Sequence, residues 1–529
     1  MRRAKAGQSS TYAVAAFVVV VVGAGALVAA RAEAYEERVH SLLEERALPE
    51  ELLATPIAPA TLDDADALRL AVWRAGSTHP DAEVRRSFLA RYPTAQSFDR
   101  WAWKELLGLA PEAQVYGIDR LPPIPARLGE LVAAGAREPD DDRRNQERFA
   151  HDAGRKPRID RWGNPLPLDP AQLDMGSLRG TPSQAYAHYG LPKGGFSDST
   201  DVLKKEPWRW AYPPTAQAFA PDFAQEFTDL AICAATLGRD GGTTLGWLYL
   251  AQADHYIGDV ANQIHTLQAI YGFFFDATIE SYKEEARSLG GLLRSRPDFV
   301  TIGIGIIKNH HLLAENLWAK RIFEAALAPE VTAGLQAIRS GDGALEQALD
   351  VRKAGPADEF GRAVAEEVIA ASCREGGEVY EAIRELAIRD LSRVGRDYGD
   401  GKDPDAFLRP DPEPGTLAKF YRLEAAGFAR AGSALRRHAR LYAAALESAR
   451  AGDDARAAVF ATSAQRLVKN QLALAAQAET RLARWEPRPP RKEEIDWLFP
   501  GVLAGLLLVV TAIPSWLVVR ARRRARRRA

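Results

Sequence analysis

The stretch HYIGDVANQIH, residues 255–265, sets two imidazoles and a carboxylate in one short segment of a chain that has nine histidines in all. His255 and Asp259 are four residues apart, which on a helix puts both side chains on one face, about 40° from each other. The same spacing returns in NHHLLAEN, where His311 precedes Glu315. One such pair is most often a surface i,i+4 hydrogen bond. Two of them, with His265 as a fifth donor, offer the nitrogen and oxygen ligands that suit zinc. Facing helices of a bundle build metal sites in this way. Clustered zinc ions bring a definite chemistry: they lower the pKa of a bound water to about 7 and clamp phosphoryl oxygens, which serves phosphate-ester hydrolysis.

Composition narrows the choice of ligands. With two cysteines, Cys233 and Cys373, the chain has neither a disulfide framework nor a cysteine-rich zinc site, so a metal must use His and carboxylates. A net charge of -1 gives no global field toward nucleic acid or anionic lipid.

The segment 255–265 resembles the signature of the zinc-dependent phospholipase C and S1/P1 nuclease superfamily, His-[Phe/Tyr]-x-Gly-Asp with a final His ten residues after the first. His255, Tyr256, Gly258, Asp259 and His265 match it. The superfamily's next element, His-x-x-x-[Glu/Asp], often followed by Asn, is matched by His311, Glu315 and Asn316. The resemblance implies an all-α domain with metal ions clustered in a cleft. It implies that His255 and Asp259 share one zinc with an upstream Asp and His, and that His265, His311 and Glu315 hold another. A third ion normally takes an early His, the bridging Asp259 and an N-terminal Trp. That Trp is missing here, so two zinc ions, or at most three, are implied. The superfamily's Gln-Pro before the last His is replaced by Asn262-Gln263-Ile264. Ten residues of straight helix rise about 15 Å, whereas paired catalytic metals lie about 3.5–4 Å apart. The helix must therefore bend or end before His265 without a proline to break it.

The upstream ligands are read from shorter clues. His79, in STHPD just before a helical run, is the candidate for the early His. REPDDD offers Asp140, Asp141 or Asp142 as the upstream carboxylate; Asp140, with Asp141 as its alternative, is the candidate for orienting the attacking water. Asp174 is a further carboxylate choice. SQAYAHYG offers His188, followed by an aromatic; RFAHDAG offers His151 as its rival. His40, His310 and His438 are read as structural or surface residues.

Helices must carry these residues. Three- and four-residue apolar spacing predicts helices over 35–55 and 64–75, from about 220 to 265, and over 267–289, 303–327, 329–349 and 358–397. No alternating pattern supports a sheet. Pro and Gly break a loop-rich insert at 153–215, and 397–415 is a polar linker. Two long helices, 416–450 and 453–485, form a hairpin that either packs on the body or stands as a stalk.

Both ends carry apolar runs. Residues 12–30 follow Arg2, Arg3 and Lys5 and are long enough to span a bilayer, so 1–32 is read as an anchor, with a cleaved signal peptide as its alternative. Residues 497–519 form a second expected span, and the tail RARRRARRRA at 520–529 marks a cytoplasmic end. Residues 33–400, the expected zinc-hydrolase-like domain, then lie outside the cell's inner membrane with the hairpin. The function expected is a membrane-anchored zinc-dependent phosphoesterase acting on phospholipid or another phosphoester. The alternatives are a nuclease, for which nucleic acid is a partner only as substrate and Trp208, Trp210 and Tyr212 could stack bases, and a non-catalytic helical scaffold that retains zinc.

Overall fold

The structure is a computed structural model that describes residues 35–98, 127–137, 139, 190, 220–267, 313–324, 326–350, 358–387, 405 and 408–483. The described residues belong to one compact unit, Met1–Arg484. Among them the chain is helical, with no strand beyond two isolated bridges, Pro56 with Arg127 and Ala387 with Leu408. None of the described helices is long and apolar enough to cross a membrane. The expected spans at 12–30 and 497–519, the basic tail and, apart from Gly190, the loop-rich insert at 153–215 all lie outside the described residues.

The helices are α1 Tyr35–Ala47, α2 Glu50–Leu53, α3 Leu62–Ser77, α4 Ala82–Arg91, α5 Leu128–Arg137, α6 Ala220–Ala235, α7 Asp240–Ala261 and α8 Gln263–Leu267. Residues 313–322 form α9. Then follow α10 Pro329–Ser340, α11 Gly343–Asp350, α12 Phe360–Ser372, α13 Gly376–Leu386, α14 Thr416–Ala449 and α15 Asp453–Ala483. The stretches expected as single helices over 329–349 and 358–397 are each divided, at 341–342 and at 373–375. The apolar period continues across both breaks, so the pattern alone does not show them.

α7 is the centre of the molecule. It is buried on every side from Tyr249 to Ala261, as expected for a helix that is apolar almost all round. Its neighbours are α6, α5, α12 and α14. The hairpin is no stalk. α14, at 34 residues, packs on α10, α7, α12, α13 and α1, while α15 closes over α6, α3 and α4. Tyr249, Phe227, Tyr442 and Leu230, fully buried, fill the space between these helices.

One cap illustrates how charge fixes an edge of this packing. Thr61 and Asp64 form a capping box at the start of α3, and Asp64 also accepts from Arg239, next to the start of α7. Burial opposes the charge, but the Arg239 guanidinium and the Thr61 hydroxyl and amide outweigh it and hold the Asp64 carboxyl below the usual range. A depressed folded pKa adds stability above the unfolded pKa and loses it as pH falls through the folded one. Asp64→Asn is therefore expected to cost about 1 kcal/mol at pH 7. In urea titrations the gap to wild type should close as pH falls through the depressed folded pKa of Asp64; a gap that persists once the carboxyl is protonated would mean that the charge is not the source.

Candidate metal centre

α7 ends at Ala261, and Asn262 is extended (φ -76°, ψ 122°), so the helix breaks before His265. Asn262 does the work of the absent proline. Its side-chain oxygen accepts from the Ile264 amide at 3.1 Å and starts α8. Gln263 pins the bend, donating to Glu375 at 2.9 Å and to the Leu423 carbonyl at 2.8 Å. The chain thus turns back, and His265 returns to the carboxylate it left behind.

Three imidazoles converge on Asp259. Its Oδ2 lies 3.2 Å from His255 Nε2, and its Oδ1 lies 3.2 Å from His40 Nε2 and 3.7 Å from His265 Nδ1. The far side of the His265 ring, Nε2, is 2.9 Å from Glu315 Oε1 on α9. His40, His255 and Asp259 offer ligand atoms that all lie within 4.8 Å of one another. His255, Asp259 and His265 are buried, and His40 and Glu315 are partly so.

Second contacts fix the donor atoms. His255 Nδ1 is 2.7 Å from the Ala136 carbonyl, which can only accept. The Nδ1 proton therefore goes to Ala136, which leaves Nε2 as the ring atom that faces Asp259, the arrangement common to metal-bound histidines. Ala136 reaches this place because Gly135 lets α5 lie close to α7: a Cβ at 135 would stand 2.9 Å from the Leu248 carbonyl oxygen. A shared cation, either a proton or a metal ion, satisfies that nitrogen and the carboxylate together. The His40 and His255 ring centroids lie 3.9 Å apart, tilted by 32°. Ligands of a tetrahedral zinc at about 2.0–2.1 Å lie about 3.3 Å apart, close to both 3.2 Å separations. The donor set fits zinc on geometry and on chemistry.

Behind His255 lies a second polar layer. Thr228 gives its hydroxyl proton to the Ala224 carbonyl, so it accepts from His438 Nε2 at 2.9 Å. His438 Nδ1 is then free to accept from Asp254 at 2.6 Å. Burial holds His438 down to about 3, so the ring is neutral. Burial also keeps the Asp254 and Glu44 carboxyls well above their usual range, and the Asp254 charge raises Glu44 further. His438 was expected to be structural, and that is its place: it ties α14 to α6 and α7.

The centre opens into a cavity of about 50 Å³, room for three or four waters. Asp259, His265, Glu315 and Glu424 line it, against apolar walls of Leu43, Trp318 and Phe428. Such walls exclude bulk water and strengthen every charge interaction inside.

The structure therefore brings together His255, Asp259, His265 and Glu315 of the expected set. His311, His188, His151, Asp140 and Asp141 lie outside the described residues. His79 does not join them. It is buried in the turn between α3 and α4, where its Nδ1 accepts from the Asp81 amide at 3.1 Å and its carbonyl from Arg85. The early histidine that reaches Asp259 is His40, which the sequence had suggested was structural or surface. A signal for it was present: His40 and Glu44 are four apart, the same His-x-x-x-carboxylate spacing that marks 255–259 and 311–315.

No family model matches the chain, and comparison with curated proteins and with solved structures found no match.

Proposed function

We propose that this chain is a membrane-anchored, zinc-dependent phosphoesterase of the zinc phospholipase C and S1/P1 nuclease kind. The observation that carries the reading is the convergence of His40, His255 and His265 on the two oxygens of Asp259, with the His40 and His255 separations of 3.2 Å close to those a tetrahedral ion would produce. His40, His255 and Asp259 would hold one zinc. His265 and Glu315, with His311, would hold a second, and Asp259 would bridge the two. Bound zinc supplies a hydroxide at neutral pH and a counter-charge for the phosphoryl oxygens.

The residues of the chain do the rest. Ala136 keeps the His255 lone pair on the metal side. The Asn262 break returns His265 to Asp259. Leu43, Trp318 and Phe428 keep solvent from the reacting group. Phospholipid is the favoured substrate because of where His40 stands. It is ten residues beyond the apolar run 12–30, and even with 31–34 fully extended the α1 segment sets it within about 25 Å of the run's end. An anchored site at that reach meets headgroups at high local concentration.

The test is a zinc count on the purified full chain together with turnover of a chromogenic phosphodiester and of phosphatidylcholine vesicles. Two zinc ions and turnover that chelator abolishes and zinc restores are expected. A chain that binds no zinc, or binds it and hydrolyses neither ester, rules the reading out; in the second case the site is that of a zinc-retaining scaffold.

A further inference from the structure

The second ion of the proposed pair would take His265, Glu315, His311 and the shared Asp259, a four-ligand set that catalytic zinc can expand to five. We infer that Glu424, from the C-terminal hairpin, is a ligand of that ion. This rests on the proposed metal centre but adds to it a carboxylate that the sequence motifs do not contain and that comes from a different part of the chain.

Glu424 is 2% exposed and lines the same cavity as His265 and Glu315. Its Oε1 has no hydrogen-bond partner. A buried carboxyl oxygen without a donor is unfavourable and calls for a partner. The charges that act on Glu424 identify its surroundings: Arg430 and His265 favour its ionised form, and Glu315 opposes it. Burial outweighs them and pushes the metal-free acid up to about 8. A divalent ion beside His265 would give that oxygen the partner it lacks.

The backbone is built to deliver Glu424 there. Gln263, two residues before His265, donates to the carbonyl of Leu423, the residue before Glu424, at 2.8 Å. One turn further on, Gly427 lets α14 rest against the α7–α8 break. A Cβ at 427 would stand 3.1 Å from the Ala261 carbonyl oxygen and 3.1 Å from Gln263 Oε1. The segment that supplies His265 and the helix that supplies Glu424 are thus fixed to one another. Charge agrees as well. Asp259, Glu315 and Glu424 ionised, with neutral imidazoles and two divalent ions, leave one net positive charge for an anionic phosphoester. Glu424 is assigned to the second ion because the proposed ligands whose charges act on it are His265 and Glu315.

The experiment is a calorimetric zinc titration of the chelator-stripped full chain, wild type against Glu424→Gln, with melting curves of both stripped proteins. Wild type is expected to bind two ions. Glu424→Gln is expected to bind the first with unchanged affinity and the second at least tenfold more weakly, while its stripped form melts no lower than wild type. Two ions at unchanged affinity in the variant would overturn the assignment of Glu424 and leave the zinc hydrolase standing. No ion in wild type would overturn both. If the variant does not fold, zinc-edge anomalous diffraction from the wild-type protein decides. A peak within about 2.2 Å of the Glu424 carboxylate supports the assignment, and peaks only elsewhere overturn it.

Discussion

Asp259→Asn is expected to lower zinc affinity at least about a hundredfold, beyond the 10–100-fold range of second-shell changes, and to reduce phosphodiester turnover to the same degree. All three imidazoles face Asp259. Its Oδ2 serves His255, and its Oδ1 serves His40 and His265. An amide has one oxygen, and its nitrogen can only donate, so one side of the centre would meet a proton where it needs an acceptor. Asn matches Asp in shape and keeps the helix, so the fold should survive. Zinc content by atomic emission, read beside turnover, checks this. His79→Asn serves as the control: it disturbs a turn remote from Asp259 and should leave zinc content unchanged. A wild-type zinc count in Asp259→Asn would remove Asp259 from the centre. Loss of zinc in His79→Asn would restore the placement that the sequence suggested.

Arg466→Met is expected to destabilise the chain by about 3–5 kcal/mol, the usual cost of leaving a buried charge without its partner. Asp229 on α6 is fully buried, and the Arg466 guanidinium on α15 grips both of its oxygens, with Nε at 3.0 Å from each. Even so paired, burial holds the Asp229 carboxyl above its usual value, so without Arg466 it must take up a proton or ionise in an apolar wall. The double variant Asp229→Asn, Arg466→Met should recover much of the loss, because it removes the orphaned charge as well as the pair. Urea unfolding of the three variants measures this. A double variant no better than Arg466→Met would show that Arg466 acts through packing and not through charge. The stake is larger than one contact, since this pair fastens the middle of α15, the second helix of the hairpin, to the helix that flanks α7.

Much of the centre was legible because the metal chemistry repeats one spacing. His255 and Asp259 stand on a single helix, and Glu315 can be placed by the same rule on another, so helical geometry alone puts each donor on a face. The break at Asn262 could be required from length, because a straight helix carries His265 about 15 Å away, but not located. Asn262 ends α7 through its own side chain and through Gln263, whose partners Leu423 and Glu375 are distant in sequence. The long hairpin was equally plain, with α14 and α15 running at 416–449 and 453–483 where the apolar period had set them.

What the sequence determined by itself was local: the helical class, the hairpin, and which residue types could grip an ion. Periodicity and spacing act over a few turns, so they report on one element at a time. Which elements meet was decided by the tertiary structure. The sequence favoured His79 as the early ligand and read His40 as structural or surface, yet α1 rather than the α3–α4 turn reaches Asp259, because α1 packs on α5 and α14. Glu424 reads as one more polar residue of a long amphipathic helix until α14 is seated on the α7–α8 break. The Glu44 and Asp254 carboxyls are pushed above their usual range because the surrounding helices remove their water. Burial and proximity between distant segments are properties of the packed core, and no short pattern of residues encodes them.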